Sequence, residues 1–134
     1  MLNEDELQEL YSRAEVSPRK RVHYLFHKSH QDKVQRLLIA LVKESYVEPH
    51  YHELAHQWEM FTVIKGEISI NIFDDTGSIK KTFIVNANDP LPLVEFAPGE
   101  IHSVECLSEQ ALLLEVKEGP FEQKFAKAHP AFSK

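Results

Sequence analysis

The 134 residues, 43% hydrophobic and 27% charged, point to a soluble globular chain with room for one domain and a sizeable core. Seven prolines and four glycines are too few for a fibrous or low-complexity chain, and a formal charge of -6 argues against a surface built to neutralise a phosphate backbone. Cys106 has no intrachain partner, the acidic start MLNEDELQEL is unlike a signal peptide, and no apolar run approaches the roughly 20 residues that cross a bilayer. The expected setting is therefore the reducing cytoplasm, with neither nucleic acid nor membrane as partner.

The first element is a short helix within residues 1–16, where Leu7, Leu10, Tyr11 and Ala14 recur at helical spacing. Asn3 and Glu6 have the spacing of a capping box, Leu2 and Leu7 that of a hydrophobic staple. Pro18 forces the helix to end by Ser17. Arg19, Lys20, Arg21, His23, His27, Lys28 and His30 follow, with Tyr24 and Phe26 between them. This stretch reads as a solvated connecting segment. A phosphate clamp for the diphosphate of a nucleotide sugar is its functional alternative. A second metal site from His23, His27 and His30 has no predicted element to support it.

From Val34 to Glu118 the period changes to that of β-strands: VQRLLIALV, SYVEPHYH, QWEMFTVIKG, EISINIFDD, SIKKTFIV, PLVEFAPG, HSVECL and ALLLEVK, separated by turn residues such as Asp74-Asp75-Thr76-Gly77 and Lys65-Gly66. About eight short strands without long helices between them predict an all-β sandwich or small jelly-roll barrel over about 34–118, in a single domain of 1–134 whose residues 119–134 form a C-terminal tail. Glu59, Phe61 and Val63 share one face of the third run, and Trp58, Met60, Thr62 and Ile64 the other. Both faces are largely apolar, so the outer one needs cover, from the N-terminal helix or from a partner chain in a homodimer.

PHYHELAHQWEMFTVIKG, residues 49–66, holds three histidines and two glutamates. On an extended segment His50 and His52 project to the same side and can reach one cation. Downstream come Glu59 on an inward strand face, Gly66 closing that strand, and Pro98-Gly99-Glu100-Ile101-His102 opening another. This order, HxH, then E, then G, then PGxxH, resembles the two motifs of the cupin superfamily. The resemblance implies that His50, His52, Glu59 and His102 converge inside a small barrel on one divalent transition metal. Three imidazoles and one carboxylate suit Fe, Mn, Zn, Ni or Co. The six residues between His52 and Glu59 exceed the usual gap, which leaves Glu53 as the competing carboxylate; Ala97 replaces the first proline of the second motif, and Cys106 stands where an asparagine often follows.

With SHQDKVQRLLIAL, IFDDTG and LLLEVKEGPF, residues from about Ser29 to Phe121 also look like the WbuC-type cupin-fold metalloproteins found with bacterial surface-polysaccharide genes. That likeness implies a metal and a small polar ligand, such as a sugar or nucleotide sugar, more than a reaction. A catalytic cupin would be a metal-dependent isomerase or epimerase, or a dioxygenase; a non-catalytic ligand-binding or regulatory cupin is the alternative. Glu115 and His56 are the candidate acid–base groups, and Arg36 and Gln35 the candidate substrate contacts. Glu115 could instead pair with Arg36 or Lys117, Arg36 could face outward, and His56 could simply sit at the barrel mouth. Cys106 reads as a core residue.

Overall fold

The computed structural model describes residues 2–133, so the end positions of the expected 1–134 domain, Met1 and Lys134, lie outside the described residues. Helix α1 spans Glu4–Val16. Glu6 N–H donates to Asn3 Oδ1 at 2.8 Å and Asn3 N–H to Glu6 Oε1 at 3.2 Å, which closes the predicted capping box. The helix stops at Ser17, already extended, ahead of Pro18.

Among the described residues nine strands follow: β1 Arg21–Leu25, β2 Val34–Val42, β3 Tyr46–His50, β4 Glu59–Lys65, β5 Glu67–Phe73, β6 Ile79–Asn86, β7 Leu93–Phe96, β8 Ile101–Cys106 and β9 Gln110–Glu118. They form two antiparallel sheets, ordered β1-β2-β9-β4-β7 and β3-β8-β5-β6. Leu37, Ile39, Phe61, Val63, Ile68, Ile70, Phe96, Val104 and Leu113 fill the space between the sheets. This is the expected small jelly roll.

The helix covers the back of the larger sheet. Leu7, Leu10, Tyr11 and Ala14 pack on Leu38, Ala40, Val42 and Leu112, with Leu2 and Val22 at the margin. The alternation along β2 thereby sends Leu38, Ala40 and Val42 to the helix and Leu37, Ile39 and Leu41 to the interior. Cys106 is buried in that interior.

β1 is the element that sequence reading missed. The basic stretch is no solvated connector, because Arg21–Leu25 pairs in register with Leu37–Leu41. Val22 and Tyr24 turn toward the helix cluster, while Arg21, His23 and Leu25 line the interior cavity. Its charged residues masked the two-residue period.

The tail is also built in. Tyr51 and Ala128 exchange backbone hydrogen bonds of 3.0 and 2.8 Å, Gln57 Nε2 donates to the Phe125 carbonyl at 2.7 Å, and Phe132 packs on Phe73. Residues 121–127 therefore cross the open end of the cavity.

Candidate metal centre

Each of the four metal donors implied by the cupin likeness is delivered by a different local device. His50 ends edge strand β3, where an irregular register after Val47 lets Pro49 sit without breaking a ladder of hydrogen bonds. His50 and His102 face each other across the β3–β8 pair. Gly99, at φ 83° in the turn before β8, donates its N–H to the His52 carbonyl at 2.7 Å, so the two motifs are tied by backbone. Glu59 opens β4 on its inward face.

The donor atoms of His50, His52, Glu59 and His102 all lie within 4.8 Å of one another. His50 Nδ1 donates to the Glu48 carbonyl at 2.9 Å and His102 Nδ1 to the Glu100 carbonyl at 2.8 Å. A carbonyl can only accept, so both rings carry hydrogen on Nδ1 and turn Nε2 to the centre, the orientation a metal-binding imidazole needs. His102 is also stacked on Phe96, 3.9 Å between ring centres.

The centre asks for positive charge. Glu59 is 4% exposed, with Oε1 2.8 Å from His102 Nε2 and Oε2 3.4 Å from His52 Nε2. His52 Nε2 is buried without a hydrogen-bond partner. Since Nδ1 of His102 already holds a hydrogen, a second proton or a cation must stand between its Nε2 and Glu59. Burial pushes the Glu59 carboxyl up, but the contact with His102 and the nearby His52 ring outweigh it and hold the group well below the usual carboxylate range. Burial and neighbouring His102 push His50 down to about 3, so it is a neutral, ligand-ready imidazole at physiological pH. These residues fit a divalent transition metal, since three imidazoles and a carboxylate with their donor atoms gathered this closely are the kind of donor set such a cation takes. The four form the one such group of His, Cys, Asp and Glu found among the described residues.

Glu53 is exposed and outside this group, so the carboxylate that stands with the three histidines is Glu59. The long gap from His52 to Glu59 is absorbed by a closed turn, in which Gln57 N–H donates to the Leu54 carbonyl at 2.9 Å and Leu54 N–H to Gln57 Oε1 at 2.8 Å. His56 lies in that turn and is not among the residues that line the cavity.

His50, His52 and Glu59 border a cavity of about 480 Å³ with apolar walls, Leu37, Ile39 and Phe61 among them. Arg36 is corrected: it is exposed and absent from the lining, because Gln35, Leu37 and Ile39 take the inward positions of β2. Gln35 is 1% exposed and borders the cavity, but its Nε2 donates to the Asp32 carbonyl at 2.8 Å, so the amide holds the β1–β2 loop. Glu115 does face the cavity, paired with Lys117 at 3.1 Å. Burial, followed by the charge of Glu59, pushes its carboxyl up against the opposing pull of Lys117. His23, His27 and His30 border the cavity without gathering as ligands; His27 Nδ1 accepts from Arg36 N–H at 3.0 Å. The cavity roles of Arg21 and His23 were missed, although Arg21-x-His23-x-Leu25 is a two-residue alternation that could have exposed them.

Solved structures share this architecture. Capsular polysaccharide assembling protein CapF from Staphylococcus aureus is 20% identical, with a TM-score of 0.70 over 86% of this chain and 33% of that one. An RmlC-like cupin from Shewanella frigidimarina is 19% identical, with a TM-score of 0.58 over 80% of this chain and 82% of that one. Bacillus subtilis oxalate decarboxylase, which has Mn(II) centres, is 24% identical, with a TM-score of 0.56 over 73% of this chain and 24% of that one. The chain thus spans about a third of CapF and a quarter of the decarboxylase, and at these identities the likeness shows the cupin fold. No curated protein matches in sequence. The family model described as "Domain of unknown function (DUF6016)" matches residues 2–85, more than half of the chain, and with the barrel above it completes the assignment: the chain belongs to the DUF6016 family and has a cupin fold.

Proposed function

We propose that the protein is a metal-dependent enzyme acting on a small polar molecule of the sugar or nucleotide-sugar class in bacterial surface-polysaccharide metabolism. The observation that carries this reading is Glu115, a buried carboxyl that lines the same cavity as His50, His52 and Glu59 without belonging to their donor group. A divalent cation held by His50, His52, Glu59 and His102 would supply Lewis acidity toward a carbonyl or hydroxyl oxygen. Glu115, whose carboxyl burial pushes up, would take and return a proton, and Lys117 at 3.1 Å would steady its charged form. Proton transfer at a sugar carbon, as in isomerisation or epimerisation, needs this pairing of groups. The polysaccharide setting is supported by the fold shared with CapF and by the likeness to WbuC-type cupins, to which we assign the chain.

The pairing of Glu115 with Lys117 also favours a second reading, a metal-dependent binding module in which the two are a structural pair. Glu115→Gln separates them. We expect it to retain the metal by elemental analysis and to lower solvent-deuterium incorporation into keto-sugar substrates, followed by NMR, by at least about 100-fold. Wild-type protein that binds such sugars without any deuterium exchange establishes the module instead.

We further propose that residues 1–134 act as one domain in the cytoplasm, as a homodimer. Support for the dimer lies in Ile64 and Leu93, on neighbouring strands of the larger sheet and both exposed. Sedimentation at micromolar concentration should give twice the monomer mass of 15.5 kDa, and a single monomeric species removes the dimer.

A further inference from the structure

The charge at the cavity mouth is opposite to that of the chain. In a protein of net charge -6, Arg19, Arg21 and Lys127 line one opening, and none of them makes an ion pair among the described residues. Arg21 points inward from β1, Arg19 precedes it, and Lys127 arrives from the tail. Lys20 is spent elsewhere, donating to the Glu15 carbonyl at 3.0 Å. Glu48 is the acid whose field reaches both Arg21 and Lys127, yet its own carboxylate lies 3.7 Å from His129.

Like charges gathered without a direct ion pair repel one another. Burial, then Arg19, push Arg21 down to about 10, and burial, then Arg21 and Arg19, push Lys127 down. An anion seated among them would relieve that repulsion. Two guanidinium forks and an ammonium suit the several oxygens of a phosphate. A cavity of about 480 Å³ is of the size that takes a small molecule. Position links this cluster to the metal donors: Ala128, the neighbour of Lys127, is hydrogen-bonded in both directions to Tyr51, which lies between His50 and His52.

We infer that Arg19, Arg21 and Lys127 form a phosphate subsite at the cavity mouth, which holds a phosphorylated small molecule with its polar body directed at the His50, His52, Glu59 and His102 centre. The subsite deepens the proposed function and rests on it for the part played by the centre. The substrate is then a sugar phosphate or a diphosphate ester rather than a neutral sugar, and the tail is a working wall of the site.

Inorganic pyrophosphate is the probe, titrated calorimetrically into the full-length protein. Arg19→Gln and Lys127→Gln replace exposed side chains, and each should weaken pyrophosphate binding about tenfold, one charged contact apiece, with metal content unchanged. The double variant should lose binding further, and added salt should weaken the wild type. A metal can itself bind pyrophosphate, so His50→Ala, which lacks a ligand but keeps the three cations, is the control. Retained binding in His50→Ala supports the subsite whatever the metal proves to do. Binding that disappears with His50 and ignores Arg19 and Lys127 overturns it, as does wild-type protein that binds no pyrophosphate. Elemental analysis reports on the metal centre separately, so failure of the subsite and failure of the metal reading give different results.

Discussion

His102→Ala is expected to leave the protein without its metal and markedly less stable. His102 is 1% exposed, bonded through Nδ1 to the Glu100 carbonyl, stacked on Phe96, and 2.8 Å from Glu59 through Nε2. Alanine removes one of four donors and leaves Glu59, itself 4% exposed, with only His52 at 3.4 Å to meet its charge. Removing one partner of a buried charged pair costs about 3–5 kcal/mol, since the remaining charge loses its compensation. Two measurements check this: metal per chain by elemental analysis after growth in metal-replete medium, and the urea midpoint. His56→Ala is the matched control, because His56 lies in the 54–57 turn away from the cavity and its loss should change neither. If His102→Ala and wild type carry equally little metal, the centre is not a metal site.

The second large effect lies far from the metal. Gly66→Ala should destabilise the barrel by on the order of 3 kcal/mol, from a left-handed backbone and from overpacking together. Gly66 has φ +82°, and a Cβ there would run into the Gln110 carbonyl oxygen and lie 2.6 Å from Ser108 Oγ. Neither can give way easily. Gln110 begins β9, and Ser108 Oγ accepts the Glu67 N–H at 2.9 Å while donating to the Gln110 carbonyl at 2.7 Å. Urea denaturation followed by tryptophan fluorescence measures the loss, with Gly99→Ala as comparison. Gly99 has φ +83° but open space where its Cβ would go, so its cost should be the backbone part alone, about 1–2 kcal/mol. Equal costs at the two glycines would show that the contact at Gly66 contributes nothing.

Local chemistry was readable in the chain itself. The capping box of Asn3 and Glu6, the stop before Pro18, and the eight runs that became β2 to β9 each depend on residues close in sequence, so patterns of two and of 3.6 residues revealed them. The inward face of β4, with Glu59, Phe61 and Val63, follows from the same alternation. The order of histidines and carboxylate in the two motifs was enough to nominate all four donors, and their donor atoms do meet.

What the chain could not disclose depends on which residues meet across the fold. β1 carries charge on the face that a buried strand would fill with aliphatic side chains, and only its pairing with β2 shows that this face lines a cavity. Arg36 and Glu115 stand in similar apolar runs, yet the register of β2 against β9 sets Leu37 opposite Glu115 and sends Arg36 outward. The choice between Glu53 and Glu59 was open in sequence because the extra residues before β4 could fall on either side of the carboxylate. A turn closed by Gln57 and anchored to the tail decides it. The tail illustrates the same limit: Lys127 has no nearby pattern to give it meaning. By itself the sequence determined the strand periods and the helix, both of them local, and through the order of its motifs it nominated the histidines of the centre while leaving the carboxylate open. The tertiary structure alone decided which charged groups share the cavity, because strand register and tail docking place together residues that lie far apart along the chain.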